Sequence, residues 1–286
     1  MRIGLLVSGN LGFTVLERMK ELYQVEFILT DKKSNTIIDF CINNKIDYFS
    51  GNPRNGNAYP FVSNKSVDLI ISVNYLFIVE KDIIDLPTIL AFNIHGSLLP
   101  KYRGRTPHVW SIINNEKFTG ITAHKIDEGC DTGDIIEQIK VEITNDDTGA
   151  TILNKYAQHY VSLIETVILK IKTNSVSFLK QDNTKATYFG VRTPEDGKIN
   201  WNWQKERIYN WVRAQANPYP GAFSFYENEK IIIDEIVFTD YGFNSDMDNG
   251  LILSINPLLV KTSNGVIELT VVRNKELRIK EGFKLI

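Results

Sequence analysis

Residues 90–104 read LAFNIHGSLLPKYRG, and their first six letters decide the fold. Leu90 to Ile94 is an almost unbroken apolar run of strand length, the pattern of a parallel strand covered on both faces. It closes on two polar residues, Asn93 and His95, just before Gly96. Side chains alternate along a strand, so Asn93 and His95 share one side while Ile94 takes the other. Open parallel sheets bind ligands beyond the carboxyl ends of their strands, and this pair is placed there. An Asn amide can donate to a developing oxyanion, and an imidazole can accept a proton near neutral pH, which together point to acyl transfer. A carboxylate is needed to orient and charge-stabilise the imidazole. The stretch from Asp127 to Asp134 holds four, and it follows the next strand toward the same sheet end.

Outward from this stretch, short β-branched runs alternate with longer amphipathic ones. The pattern predicts strands at Arg2 to Val7, Val25 to Thr30, Asp68 to Val73, Ile89 to Ile94, Gly120 to Lys125 and Asp134 to Ile143, with a weaker one at Ile46 to Phe49. A long helix is predicted from Thr151 to Lys172, its apolar residues spaced to bury one face. The expected class is α/β: a Rossmann-like parallel sheet domain over residues 1–190, then residues 191–286 as a linker, a helix and a smaller, mostly β domain. Gly9-Asn10-Leu11-Gly12 lacks the third glycine of a dinucleotide fingerprint, so it is read as a tight turn exposing helix N-terminal amides. Beyond Thr193-Pro194-Glu195-Asp196-Gly197 the reading gives a helix from Gln204 to Ala216. Antiparallel strands follow at Ile231 to Phe238, Gly250 to Ile255, Leu258 to Thr262 and Val266 to Val272.

The 286 residues carry 32 Lys and Arg against 34 Asp and Glu, a net charge of −2, which argues against extended phosphate-backbone binding. The two cysteines, Cys41 and Cys130, have neither a disulfide-framework nor a zinc-type spacing, so no metal is expected. The apolar run from Ile3 to Val7 is too short for a signal-peptide core, and no stretch reaches the length of a membrane span. A cytoplasmic protein without a membrane partner is the expectation.

FNIHGSLLPKYRG at 92–104, followed by DEGCDTGDI at 127–135, resembles the folate-dependent formyltransferases, the family that includes methionyl-tRNA formyltransferase and the nucleotide-sugar N-formyltransferases. The resemblance runs through Trp211-Val212-Arg213-Ala214 and Asn217-Pro218-Tyr219-Pro220-Gly221-Ala222-Phe223. It implies formyl transfer from N10-formyltetrahydrofolate to an amine, no NAD, and Asn93, His95 and Asp131 as the catalytic set. It also implies a cofactor pocket edged by Phe77, Ile78 and Val79, by Arg105, and by Asp127, Glu128, Gly129 and Cys130. Attack of a neutral amine on a formyl carbon creates an oxyanion, which needs donors, and a cationic nitrogen, which needs a base. Asn93 with His95 suits the first need. Asp131, or His95 backed by Asp131, suits the second.

For the amine, the resemblance favours the nucleotide-sugar branch and a dTDP-linked amino-dideoxyhexose such as 4-amino-4,6-dideoxyglucose, a sugar of surface polysaccharides including lipopolysaccharide O-antigen. Residues 200–286 hold ten Lys or Arg against eleven Asp or Glu, whereas a tRNA-docking domain should be basic. Methionyl-tRNA, dTDP-3-amino and UDP-4-amino acceptors remain alternatives, and self-association as a homodimer stays open. Arg213 and the amides near Asn10 are candidate phosphate donors, with Trp211 or Tyr219 as a wall for the base. The aromatic group of Trp201, Trp203, Trp211 and Tyr219 reads equally well as packing. His124 is read as a core or surface histidine, His159 as structural, and His108 as an undecided neighbour of the pocket.

Overall fold

The computed structural model describes residues 1–273 and 279–286. The chain divides into two compact units, the first made of Met1–Gly104, Gly120–Val141 and Lys155–Phe189, the second of Arg105–Thr119, Glu142–Asn154 and Gly190–Ile286. In chain order the first unit opens with β1 (Arg2–Val7), α1 (Gly9–Leu22), β2 (Gln24–Thr30), α2 (Asn35–Asn43), β3 (Tyr48–Ser50), α3 (Tyr59–Val62), β4 (Leu69–Val73), α4 (Lys81–Ile84), β5 (Leu90–His95) and β6 (Arg103–Gly104). There follow α5 (Pro107–Ile113) of the second unit, β7 (Phe118–Lys125), β8 (Ile135–Glu142), α6 (Gly149–Lys172) and β9 (Tyr188–Phe189).

One seven-stranded sheet runs in the order β3-β2-β1-β4-β5-β7-β8. The pairs β1–β2, β1–β4, β2–β3 and β4–β5 are parallel, whereas β7 runs antiparallel to β5. The apolar strands explain the parallel part, since β1 and β4 bury nearly every residue between covering helices. In α6 the predicted apolar stripe buries Ile152, Tyr156, Tyr160, Leu163, Ile164, Val167 and Ile168, while Leu153 and Ile171, also predicted in it, are half-buried. Each fully buried side chain contributes roughly 1.5–3 kcal/mol relative to water exposure. Among the described residues no helix is long and apolar enough to cross a membrane.

The second unit adds α7 (Lys205–Ala214), β10 (Ala222–Tyr226), β11 (Glu229–Thr239), β12 (Ile252–Ile255), β13 (Leu258–Thr262) and β14 (Gly265–Val272). Its antiparallel sheet has the order β10-β11-β14-β13-β12. The predicted strands Leu258 to Thr262 and Val266 to Val272 form a hairpin, in which Thr262 pairs with Gly265 across Ser263 and Asn264. Strand β10 (Ala222–Tyr226) is not among the strands that the sequence pattern predicts. Trp201 and Trp211 lie in this unit's core with Ile208, Ile233 and Leu269. Arg273 clamps Asp234 through Nε at 2.6 Å and Nη2 at 2.7 Å, and Nη2 also reaches the Tyr219 carbonyl at 2.8 Å. The segment carrying Tyr219 is thereby tied to β11 and β14.

Candidate active site

β5 delivers Asn93 and His95 to its carboxyl end, and strand register decides what they meet. β7 pairs with β5 so that Asn93 stands opposite His124 and His95 opposite Thr122. Side chains opposed across antiparallel strands are within touching distance, and Asn93 Nδ2 lies 3.1 Å from His124 Nε2. The other nitrogen of that ring, Nδ1, is 2.7 Å from the Lys125 carbonyl oxygen. A carbonyl only accepts, so Nδ1 carries the hydrogen, and in the neutral ring Nε2 accepts from the Asn93 amide. His124, assigned by sequence to core or surface, is buried but belongs to this constellation. Its alternation with Thr122 along the strand was the available signal; the antiparallel register that turns it toward Asn93 was not readable.

The same reasoning orients His95. Its Nε2 is 2.7 Å from the Tyr102 carbonyl oxygen, so the hydrogen sits on Nε2 and Nδ1 keeps a lone pair. That Nδ1 faces Asp131 Oδ2 at 3.5 Å, while Asp131 Oδ1 lies 3.6 Å from His124 Nε2. One carboxylate therefore addresses both imidazoles. Oδ2 also accepts the Gly104 amide at 2.9 Å.

Burial opposes ionisation of Asp131, but His95 and His124 in their protonated forms, together with the Gly104 amide, outweigh it and hold the carboxyl well below the usual carboxylate range. Burial dominates at His95 and lowers its pKa, against the opposing pull of Asp131 and the Tyr102 carbonyl. At neutral pH the pair is an ionised Asp131 beside a neutral His95 whose Nδ1 can take a proton.

Local backbone geometry sets this arrangement. Asp131 adopts the left-handed region at φ 56°, which Asp enters more readily than most residues. Two positions on, a Cβ at Gly133 would lie 2.0 Å from the Lys125 carbonyl oxygen, so only glycine lets the loop return this close to β7. Asp127 accepts the Gly129 amide at 3.2 Å and the Thr132 hydroxyl at 2.7 Å, closing the loop on itself. On the other flank, the Tyr102 amide donates to Thr187 Oγ1 at 2.8 Å and the Tyr102 ring stacks on Phe189 with centroids 5.1 Å apart. These contacts seat the Tyr102 carbonyl on His95.

Beside the loop is a cavity of about 480 Å³ lined by Lys81, Ile84, Ile126, Asp127, Glu128 and Gly129. Ile84 and Ile126 pack on the core cluster that contains Val79. Ile78 is exposed and Phe77 half-buried, its ring edge-on to Tyr75 at 5.5 Å. Cys130 is exposed, its Sγ 3.6 Å from Asp131 Oδ2. Arg105 is exposed, the first residue of the second unit, and Asn10 is exposed in the first turn of α1.

Within the second unit, Tyr219 is half-buried with its Oη 2.9 Å from His108 Nε2. Burial pushes His108 down to about 4 and Tyr219 up to about 12. Arg213 is buried, giving Nε to Asn210 Oδ1 at 2.9 Å and Nη1 to the carbonyls of Thr144, Asn145 and Asp147 at 2.9, 3.2 and 2.7 Å. Trp211 is buried too, its Nε1 donating to the Gly197 carbonyl at 3.1 Å. Among the described residues no cluster of His, Cys, Asp and Glu could hold a metal ion.

Two family patterns match the chain: Formyl transferase over residues 14–168, and Formyl transferase, C-terminal domain, over residues 192–284. The bifunctional polymyxin resistance protein ArnA of Wigglesworthia glossinidia brevipalpis is 32% identical over 283 residues, 97% of this chain but 42% of that protein. The chain thus spans less than half the length of this curated relative. Among solved structures, a 4-N formyltransferase from Francisella tularensis is 25% identical with a TM-score of 0.66, covering 80% of this chain and 94% of its own. WlaRD, a sugar 3N-formyl transferase solved in the presence of dTDP and 5-N-formyl-THF, shares the fold at a TM-score of 0.71 and 24% identity, over 96% of this chain and 98% of its own.

Proposed function

Because the chain belongs to the formyl transferase family, with patterns for both the N-terminal and C-terminal domains, we propose that it transfers a formyl group from N10-formyltetrahydrofolate to a nucleotide-linked amino-dideoxy sugar. The observation that carries this reading is the single carboxylate of Asp131 set between His95 and His124, beside the Asn93 amide, at the carboxyl end of β5. We propose a domain boundary at 190/191, at the start of the linker read from the sequence and between the two matched segments.

The cavity beside the loop fits a folate. Ile84 and Ile126 offer apolar wall, and Asp127, Glu128 and Gly129 offer a polar rim, the mix that a flat hydrogen-bonding heterocycle needs. Of the proposed cofactor-binding residues, Asp127, Glu128 and Gly129 line this cavity, whereas Phe77, Ile78, Val79, Arg105 and Cys130 are not among its lining and remain proposed contacts of the folate. When bound, the folate supplies an acyl carbon open to amine attack. Asn93 is the donor for the developing oxyanion, since it stays partly accessible where His95 is buried, and its amide can donate where the Asp131 carboxylate only accepts. His95 takes the proton of the attacking amine at Nδ1, and the adjacent Asp131 carboxylate stabilises the imidazolium that results. The same proton goes to the donor nitrogen as its bond to the formyl carbon breaks and tetrahydrofolate leaves. The amine is mostly protonated in water, so the same carboxylate favours its approach.

For the acceptor, we favour dTDP-4-amino-4,6-dideoxyglucose. The near-balanced charge of residues 200–286 supports a nucleotide sugar over tRNA. Similar structures include both a sugar 3N-formyl transferase and a 4-N formyltransferase, and the 4-amino position is part of the proposal. Tyr219 and Asn10 have surface to offer a ligand. Trp211 and Arg213 we read as support, because the indole is core and the guanidinium is engaged by Asn210 and three backbone carbonyls. Tetrahydrofolate release can be compared across dTDP-4-amino, dTDP-3-amino and UDP-4-amino sugars and charged initiator tRNA. The dTDP-4-amino sugar is expected to be fastest by at least about 10-fold, the scale of one altered pocket contact. Fastest release with tRNA, or equal release without any amine, would overturn the proposal.

A further inference from the structure

The loop that carries Asp131 is held from beneath by a residue of the irregular segment after α6. Gln181 is buried, and its Nε2 donates to two backbone carbonyls, Asp131 at 2.9 Å and Gly133 at 2.7 Å. Its Oε1 accepts from Arg103 Nε at 3.1 Å and Arg103 Nη2 at 2.6 Å. The orientation of this amide follows from chemistry: carbonyls only accept and a guanidinium only donates, so Nε2 must face the loop and Oε1 must face Arg103. Arg103 is itself fully buried, and its other donors reach neutral oxygens, Nη2 on Asn183 Oδ1 at 2.9 Å and Nη1 on Tyr188 Oη. A planar five-donor fork in such a setting fixes geometry.

We propose that Gln181 is a positioning residue for the reaction: by pinning the carbonyls on either side of Thr132 it keeps Asp131 in its left-handed conformation, so that the carboxylate stays on His95 and His124, with Arg103 holding Gln181 in place. The proposal rests on the catalytic role given to Asp131 above. A residue at φ 56° needs its surroundings to hold it there. Relaxation of Asp131 toward an ordinary backbone conformation would carry the carboxylate away from both rings, and displacements near 1 Å can cost about 100-fold in rate.

The test is Gln181→Glu. Glutamate keeps the acceptor toward Arg103, and as a carboxylate pairs with it, but cannot donate to the two carbonyls. A merely structural role, tying Arg103 into the unit, would survive the change. Turnover is measured as tetrahydrofolate release with whichever amino-sugar nucleotide the wild type uses best. The expected result is a kcat lower by about 10- to 100-fold, KM for both substrates within about 3-fold, and a melting temperature within about 4 °C of wild type. Combined with Asp131→Asn, Gln181→Glu should cost less than about 2-fold further, because it acts through Asp131. Hydrogen exchange of the amides of residues 127–134 should quicken by at least about 10-fold in Gln181→Glu while that of residues 90–95 is unchanged. Should Gln181→Glu not fold, Gln181→Met, which also lacks the donor, is expected to show the same kcat loss and exchange pattern. Wild-type kcat, a loss additive with Asp131→Asn, or unchanged exchange in the loop would overturn the inference. If Asp131→Asn itself turned over like wild type, the reading of the active site would be the part that fails.

Discussion

His124→Phe is the substitution that most exposes the reasoning about register. The phenyl ring occupies similar space but removes three contacts: the Nδ1 hydrogen bond to the Lys125 carbonyl at 2.7 Å, the Nε2 acceptor for Asn93 at 3.1 Å, and the approach to Asp131 Oδ1 at 3.6 Å. The Lys125 carbonyl loses its imidazole partner, and a buried polar group left unmatched costs about 1–3 kcal/mol, so a modest fall in thermal stability is expected. The effect on rate comes through Asn93, which keeps its side chain but loses the acceptor that fixes its amide. Outright removal of an oxyanion donor costs about 100- to 1,000-fold in kcat, which sets the ceiling. A donor still present but no longer held should lose less, about 10- to 100-fold, with KM for the folate nearly unchanged. Steady-state kinetics on a preparation shown by circular dichroism to be folded provides the assay. His124→Gln, which restores an acceptor, should recover part of the loss. A folded His124→Phe protein with kcat within about 3-fold of wild type would refute the claim that β7 contributes to the centre.

Two pH experiments follow from the buried imidazoles. If neutral His95 is the base, activity falls as pH drops through its lowered pKa, so the acid limb of kcat/KM should lie below the ordinary histidine value of about 6.5. Asp131 raises the His95 pKa, so Asp131→Asn should shift that limb to still lower pH while the plateau falls, and a shift to higher pH would contradict the assignment. At His108 the folded value near 4 lies below the unfolded one near 6.5. The unfolded chain then takes the proton first, and the stability this residue confers is complete above about pH 6.5 and lost as pH falls toward 4. Between pH 7 and pH 5 that loss is about 2 kcal/mol by linkage, measurable as the change in the stability difference between wild type and His108→Gln.

The strands that position the centre were readable because burial on both faces leaves an unmistakable apolar run; β1 and β13 have the bounds that the sequence predicts. Asn93 and His95 share a face by alternation, and the loop after the next strand offers four carboxylates, among which only the family resemblance singles out Asp131. His124 was not, because a histidine on an alternating strand looks the same whether it faces packing or a partner across the sheet. Its place depends on the antiparallel register of β7 against β5, a non-local property. Gln181 left no trace either, since it lies in a stretch without periodicity and acts through two backbone carbonyls about fifty positions away. In Trp211 and Arg213 the sequence offered an aromatic and a cation of the kinds a nucleotide attracts. Folding places one in a hydrophobic core and the other on carbonyl oxygens, outcomes that residue type cannot separate from ligand binding.

The central claim is that an amine is formylated at the centre built on His95. Its most direct test is mass spectrometry of the sugar nucleotide after incubation with N10-formyltetrahydrofolate, for wild type and for His95→Gln, with folate affinity measured separately by calorimetry. The wild type is expected to yield an N-formylated sugar nucleotide, forming at least about 100-fold more slowly with His95→Gln while folate affinity stays within about 3-fold. Equal rates of product formation by the two proteins, or consumption of the folate with no formylated amine, would contradict it.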